Sequence, residues 1–356
     1  MELTELFTPQ AIAANFTQVH SNDIPYLGAT LFPAKKKAGL DLSWIKGTRG
    51  LPVSLKPSSF DTKATFRDRI GVAKIETEMP FFREGYLLKE KDRQEILRAQ
   101  DSNDPFARAV IDHIYDDVNE LVSGADVVPE RMIWQLLAPA SGNAGINISA
   151  NGVAYVYNYD PDSAWKTSNY VEITTAADKW SVPASADPLD DLQTMQDTIE
   201  DLTGSRPDVA IMSRATFNYL LASDKVRSAI LAQNPTANIL LTRENVTAAV
   251  AAILGINIVV YTKKFKTEAG VSTAFYPDNY VTLISSGASL GSTYYGTTPE
   301  EADLMGKGQA NVSIINTGIA VTQIVNPHPV NLETIVSEIV LPSYEGMDTV
   351  GVIKVA

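Results

Sequence analysis

The pentapeptide Gly287-Ala288-Ser289-Leu290-Gly291 has the G-x-S-x-G spacing that holds a serine hydroxyl at the tip of a strand-to-helix turn, where a base can activate it for acyl transfer. Asp303 and His328 follow in the chain order of a carboxylate and a base, and residues 280–285 ahead of the serine read as a strand. Two features oppose this serine hydrolase reading. Residues 292–299 contain Tyr294, Tyr295, Gly296 and Pro299 and read as a loop where a helix should begin. His328 stands in Pro327-His328-Pro329, which reads as a stiff extended segment that does not carry an imidazole back to a distant serine. Hydrolysis through Ser289 is therefore the alternative reading.

Other chemistry is thinner still. His20, His113 and His328 are far apart with no pair at i, i+4, so no histidine metal centre is expected. Cysteine is absent, which removes disulfides, thiolate metal ligands and thiol nucleophiles together. Asp187, Asp190, Asp191, Asp197, Glu200 and Asp201 read as the solvated face of an amphipathic helix whose early acids complement its dipole, rather than as a cation site. Gly306-Lys307-Gly308 lacks the third glycine and the following helix of a dinucleotide fingerprint, and no Walker loop is present. The sequons at Asn15, Asn147, Asn245 and Asn311 carry no meaning without secretion. No catalytic residue, metal or cofactor is expected, and a chain of this kind is built to bind or to assemble.

The elements that would have to position any such group come next. The 356 residues are 45% apolar and 20% charged, enough to bury two or three cores. The net charge of −13 repels nucleic acid, so sequence-specific DNA or RNA binding is disfavoured. The first sixteen residues do not read as a signal peptide, and no apolar run approaches the roughly 20 residues of a membrane span, so no membrane partner is expected. Charge is unevenly spread. Between Ala34 and Ile75 ten basic residues face three acidic ones, an excess of seven positive charges, which leaves −20 on the rest. Within that stretch Leu40, Leu42 and Trp44, then Val53 and Leu55, then Phe60, Thr62 and Ala64 recur at every second residue between turn signals, as in a ladder of strands. A two-stranded ribbon is barely stable by itself, so a basic ribbon of this length needs a surface to lie on.

Asp104 and Pro105 cap and start a helix with Phe106, Val110, Ile114, Val118, Leu121 and Val122 on one face, stopped by Gly124, roughly 28 Å long. Pro129 starts a shorter helix closed by Pro139. Residues 146–159 read as a hairpin around Asn151-Gly152. Residues 161–183 read as an irregular connection or short edge strands. Asp187 and Pro188 start a helix ended by Gly204, with Leu189, Leu192, Met195, Ile199 and Leu202 inward. Residues 208–213 and 256–262 read as short buried strands, and 214–221, 225–232 and 243–254 as helices. A hairpin about Pro277-Asp278-Asn279 is expected over 273–285, and long strands over 312–325 and 333–340.

This order of parts resembles the major capsid proteins of tailed bacteriophages with the Hong Kong 97-type shell fold, specifically the lambda-like capsid protein E family. The resemblance is carried by Phe275-Tyr276-Pro277-Asp278-Asn279-Tyr280-Val281-Thr282-Leu283-Ile284 and by Leu290-Gly291-Ser292-Thr293-Tyr294-Tyr295-Gly296-Thr297-Thr298-Pro299-Glu300-Glu301. It is supported by the strand that runs into Arg214-Ala215-Thr216-Phe217 and by the basic arm ahead of a long helix. What the resemblance implies is an α+β fold with an amino-terminal arm (1–33), an extended β-hairpin loop (34–80), a peripheral domain (81–186) with a spine helix over 105–123, an axial domain of mixed α/β structure (187–305), and carboxy-terminal strands (306–356) returning to the peripheral domain. It further implies a non-enzymatic shell subunit that forms pentamers and hexamers of an icosahedral head around double-stranded DNA, in a virion assembled in the bacterial host cytoplasm. Implied partners are copies of itself, decoration and portal proteins, and packaged DNA held without sequence-specific contacts. A separate scaffolding protein is also implied, because no long charged helical extension precedes the arm. The positions expected between subunits are Lys35, Lys36, Lys37, Trp44, Lys46, Arg49, Arg67 and Arg69, since a basic arm on an acidic body is self-complementary between copies.

Overall fold

The computed structural model describes residues 25–46, 73–91, 94, 105–140, 142–150, 152–232, 241–287, 289–305 and 310–356. In chain order they form α1 (Leu27–Leu31), β1 (Ala34–Lys36), β2 (Asp41–Lys46), β3 (Ala73–Glu78), β4 (Phe81–Leu88) and α2 (Pro105–Leu137). Next come β5 (Gly145–Ala150), β6 (Val153–Asn158), α3 (Ala164–Asn169), β7 (Tyr170–Glu172), α4 (Pro188–Thr203), β8 (Val209–Met212), α5 (Arg214–Ala222), α6 (Asp224–Ala232) and α7 (Arg243–Leu254). The remainder is β9 (Asn257–Val260), β10 (Lys264–Lys266), β11 (Ser272–Ala274), β12 (Tyr280–Ile284), β13 (Thr293–Tyr295), β14 (Asn311–Ile315), β15 (Ile319–Pro327), β16 (Val330–Pro342) and β17 (Gly351–Lys354).

Two compact units share these elements. One draws on the described parts of Met1–Leu42, Glu76–Met132 and Ser292–Ser343; the other draws on those of Ser43–Ile75, Ile133–Gly291 and Tyr344–Ala356.

In the first unit the thirteen-residue β16 organises the sheet. One of its edges pairs with β15, which continues to β14. The other edge is shared in succession: β4 takes Leu332 to Ile339, and β13 takes Val340 to Pro342, with β1 added parallel to β13. Helix α2 packs Val122 and Ala125 against Ile315, Ile319, Val321 and Val336 of this sheet. Gly296 lies where the chain leaves β13. A Cβ there would come 2.6 Å from Cγ2 and 3.0 Å from Cβ of Ile339. The Gly296→Ala variant should therefore lose about 1–3 kcal/mol in a urea titration, the usual range for overpacking; an unchanged midpoint would show that Ile339 can turn aside.

The expected break of α2 at Gly124 and restart at Pro129 is corrected: the helix is continuous for 33 residues, with Pro129 inside it. Gly and Pro inside a helix cost about 1 and 3 kcal/mol. Burial outweighs them, since Val122 and Ala125 precede the proline while Met132, Ile133, Trp134, Leu136 and Leu137 follow it, all buried, and a fully buried Leu, Ile or Met side chain contributes about 1.5–3 kcal/mol. The expected Asp104 cap lies outside the described residues.

In the second unit a five-stranded sheet runs β7-β17-β12-β8-β9. Its helix α4 begins and ends as its residues demand. Asp187 accepts a hydrogen bond from the Asp190 N–H, Pro188 needs no donor in the first turn, and Gly204 closes the helix at φ +72°. Leu192, Met195 and Ile199 enter a core with Leu220, Val246, Leu283 and Ile353, whereas Leu202, expected inward, is exposed. The β5–β6 hairpin forms with Gly152 at φ +80° in its turn. Residues 161–183 hold α3 and the edge strand β7, with Trp165 and Trp180 fully buried.

Three strand expectations are corrected. The hairpin over 273–285 does not form: β11 pairs with β10, and β12 pairs with β8 and β17. Every residue of β12 is buried, so it needs neighbours on both edges, and the turn between is pinned instead to α5. Ser213 donates to Asp278 at 2.5 Å, and the Asn279 N–H donates to Thr216 Oγ1 at 2.9 Å. The expected strand over 312–325 is two strands, because Asn316 adopts φ +52° and turns the chain back on itself. The expected buried strand at 256–262 is the half-exposed edge strand β9.

Candidate functional site

The basic segment divides into an anchored base and a remainder. Lys35 and Lys36 lie in β1, in register with Tyr294 and Tyr295, and the Lys37 N–H donates to the Tyr295 carbonyl at 2.8 Å. The Lys36 ammonium pairs with Glu301 at 2.6 Å, and Lys35 Nζ stands 5.9 Å from the centre of the Tyr294 ring. One member of the lysine run is thus neutralised inside its own chain. Beyond it, the period of two expected for β2 is present: Asp41 and Ser43 are exposed, while Leu42 and Trp44 are buried. Trp44, expected between subunits, packs on Tyr159 of its own chain with ring centres 5.0 Å apart and is 5% exposed. It anchors β2. Strands β2 and β3 pair. The Lys46 side chain, Arg49, Arg67, Arg69 and the alternations at 53–64 lie outside the described residues.

A second polar arrangement was not visible in the sequence. Residues Glu300–Leu304 form one π-helical turn beside β14 and β15 in the first unit. Buried Glu300 receives Arg83 of β4 and, at 3.0 Å, the hydroxyl of Ser337 of β16. Arg83 also stands 4.6 Å over the Phe81 ring. The partners are separated by 217 and 37 positions in the chain, and no local spacing signals a contact of that kind.

The acids of α4 behave as a solvated, partly paired face. Asp197 and Glu200 both hold Arg206, and Asp191 accepts from Trp180 Nε1 at 2.8 Å while partial burial raises its carboxyl above the usual range. With Glu172, Asp178, Asp187 and Asp190 it lines an open cleft of about 380 Å³. Among the described residues no group of three or more His, Asp or Glu could hold a metal ion, and no helix is long and apolar enough to cross a membrane.

The serine elbow is not built. Ser289 donates to the Gly291 carbonyl at 3.0 Å, and the chain passes from it through an irregular segment into β13 rather than into a helix. His328 and Pro329, expected as an extended segment, form the two-residue turn between β15 and β16, since Pro327 pairs with Val330. The backbone N–H groups that a following helix would lend to an oxyanion are not supplied by this geometry.

A long helix against a β16-centred sheet, a second α/β unit and the paired strands β2 and β3 are parts of the Hong Kong 97-type capsid fold, a class of shell-building subunits. Three solved structures share it. The putative capsid protein of a prophage of Escherichia coli CFT073 is 13% identical, with TM-score 0.58 over 98% of this chain and 99% of the other. A phage-related protein of Bordetella bronchiseptica is 16% identical, with TM-score 0.57 over 98% and 97%. The capsid subunit of cyanophage A-1(L) is 12% identical, with TM-score 0.51 over 99% of each. No curated protein sequence matches the chain. The profile of phage major capsid protein E matches residues 8–347, and the chain belongs to that family. It is a structural subunit of a phage capsid and part of the virion.

Proposed function

We propose that this subunit builds an icosahedral head from pentamers and hexamers by laying the basic ribbon of one copy over the next. The observation that carries this reading is the rooting of the ribbon. Trp44 is buried in its own chain, and most of the positive excess is carried by the residues that follow it, 46–74. In the family's terms, 1–33 is the arm, 34–80 the extended loop, 81–186 the peripheral domain, 187–305 the axial domain around the symmetry axes, and 306–356 the returning strands. Acidic surface such as the cleft at Asp178 and Asp190, beside Glu172 and Asp187 that already meet Lys354 and Lys225, supports a cationic partner, and charge complementarity of this kind steers encounter and fixes register. The head encloses double-stranded DNA, which slides along a wall of net negative charge. It is made in the host cytoplasm with a separate scaffolding protein, and it meets portal and decoration proteins. It has no catalytic activity.

Lys36 is a poor probe of the ribbon because it is paired within the chain. The test is Arg49→Glu, Arg67→Glu and Arg69→Glu together, viewed by negative stain at low salt alongside circular dichroism. The expected result is a folded protein that yields few or no shells. Normal shells from the folded triple variant would remove the ribbon from the assembly contact, and phosphonate labelling lost in Ser289→Ala would instead establish the hydrolase.

A further inference from the structure

Two buried glutamates meet β16 in the first unit, Glu300 from the π-helical turn and Glu338 on the strand itself, and the chain treats them oppositely. Glu300 has an arginine and a hydroxyl to share its charge. Glu338, on β16, is 1% exposed, and neither carboxylate oxygen has a hydrogen-bond partner among the described residues. Along a strand alternate residues share a face, so Glu338 lies on the face of Val336, which packs against Val122 and Ala125 of α2, while Ser337 turns to Glu300 on the other. Across the sheet its partner is Phe82 of β4.

Among the described residues, the charged and titratable groups that act on it offer no cation. Asp126 of α2 faces it as an anion, Tyr295 of β13 stands close enough to feel both acids, and Glu84 shares its face two positions along β4 at an exposed site. Arg83, the nearest cation in β4, turns to the opposite face and is occupied by Glu300. On β15 the chain opposite Ser337 is Ala320, next to buried Ile319, which carries no charge. A carboxylate ion without a partner in such a place is far costlier than the neutral acid, and such groups keep their proton.

We propose that Glu338 is held as the neutral acid and acts as a proton lock on the packing of α2 against the sheet, opened when alkaline conditions ionise it. Burial, reinforced by Asp126, displaces its titration well above the ordinary carboxylate range. The sign follows from linkage. The unfolded chain releases this proton in the ordinary range and the folded chain does not, so the contribution to stability is complete in acid. It is then lost progressively as pH rises toward the displaced titration, by up to tenfold in the folding constant per pH unit.

The test uses the full-length subunit. Infrared spectra at pH 7 in D₂O should show the C=O stretch of a protonated carboxylic acid that disappears in Glu338→Gln. Urea midpoints from pH 5 to 9 should fall for the wild type relative to Glu338→Gln, whose amide cannot ionise. Parallel midpoint profiles, or a protonated band unaltered by the substitution, would overturn the proposal. If the amide variant does not fold, Glu338→Met, which fills similar space without a proton, takes its place. Absence of the band from the wild type at pH 7 refutes the lock with no variant required.

Discussion

Truncation of Trp134 to alanine should lower the stability of the subunit by about 3–5 kcal/mol, the range for removing a buried tryptophan. Trp134 lies in the last turn of α2 and is 1% exposed. It stacks on Tyr261 at 4.8 Å and meets the edge of Tyr276 at 5.3 Å. Tyr261 passes the contact to Phe275, and Phe275 to Phe265 of β10. One indole therefore ties the end of α2 to the segments flanking β9 and β12. Its loss opens a cavity whose walls are held by other elements and cannot collapse, and aromatic pairing adds to the area term. Trp134→Phe keeps one ring and should lose clearly less. Urea titration followed by circular dichroism reads the difference, and a loss below ~0.5 kcal/mol for the alanine variant would show the stack to be dispensable.

The second large effect is expected at Glu300. Changing Arg83 to methionine leaves that carboxylate buried with the Ser337 hydroxyl alone. Removing one partner of a fully buried ion pair costs about 3–5 kcal/mol. Half of the Arg83 side chain is exposed, so part of the pair's energy is already screened by water, and about 2–3 kcal/mol is expected here. Glu300→Gln on top of Arg83→Met should recover most of the loss, because the charge left stranded is then gone. A double-mutant cycle measures this directly, and additive losses would mean the two side chains act independently.

How much of this was legible in the residues depended on whether the deciding forces were local. The ends of α4 were readable because Asp187, Pro188 and Gly204 act on backbone groups within one turn. So were the end of α7, where Gly255 adopts φ +69°, and the turn of the β5–β6 hairpin. Gly124 and Pro129 misled, because burial of Trp134 and its neighbours is set by distant strands. The pairing of β12 misled in the same way: its partners, β8 and β17, lie about seventy residues away on either side. The lysine run was visible as charge, but Lys36 meets Glu301 across 265 positions, and Trp44, expected between subunits, packs its ring on Tyr159 of its own chain. Local chemistry marks where elements stop; only the closed core decides which of those stops are overridden.

The sheets are closed by strands far apart in the chain: Ala34 pairs with Thr293, Phe81 with Ile339, and Tyr170 with Val352. Neither can be completed until residues 330–354 have left the ribosome. Until then a nascent polypeptide carries apolar strands with no edge to receive them, and contacts so remote in sequence form slowly. Incomplete chains and early folding species therefore expose surface that sticks to other copies, and it is covered only when the last strands dock.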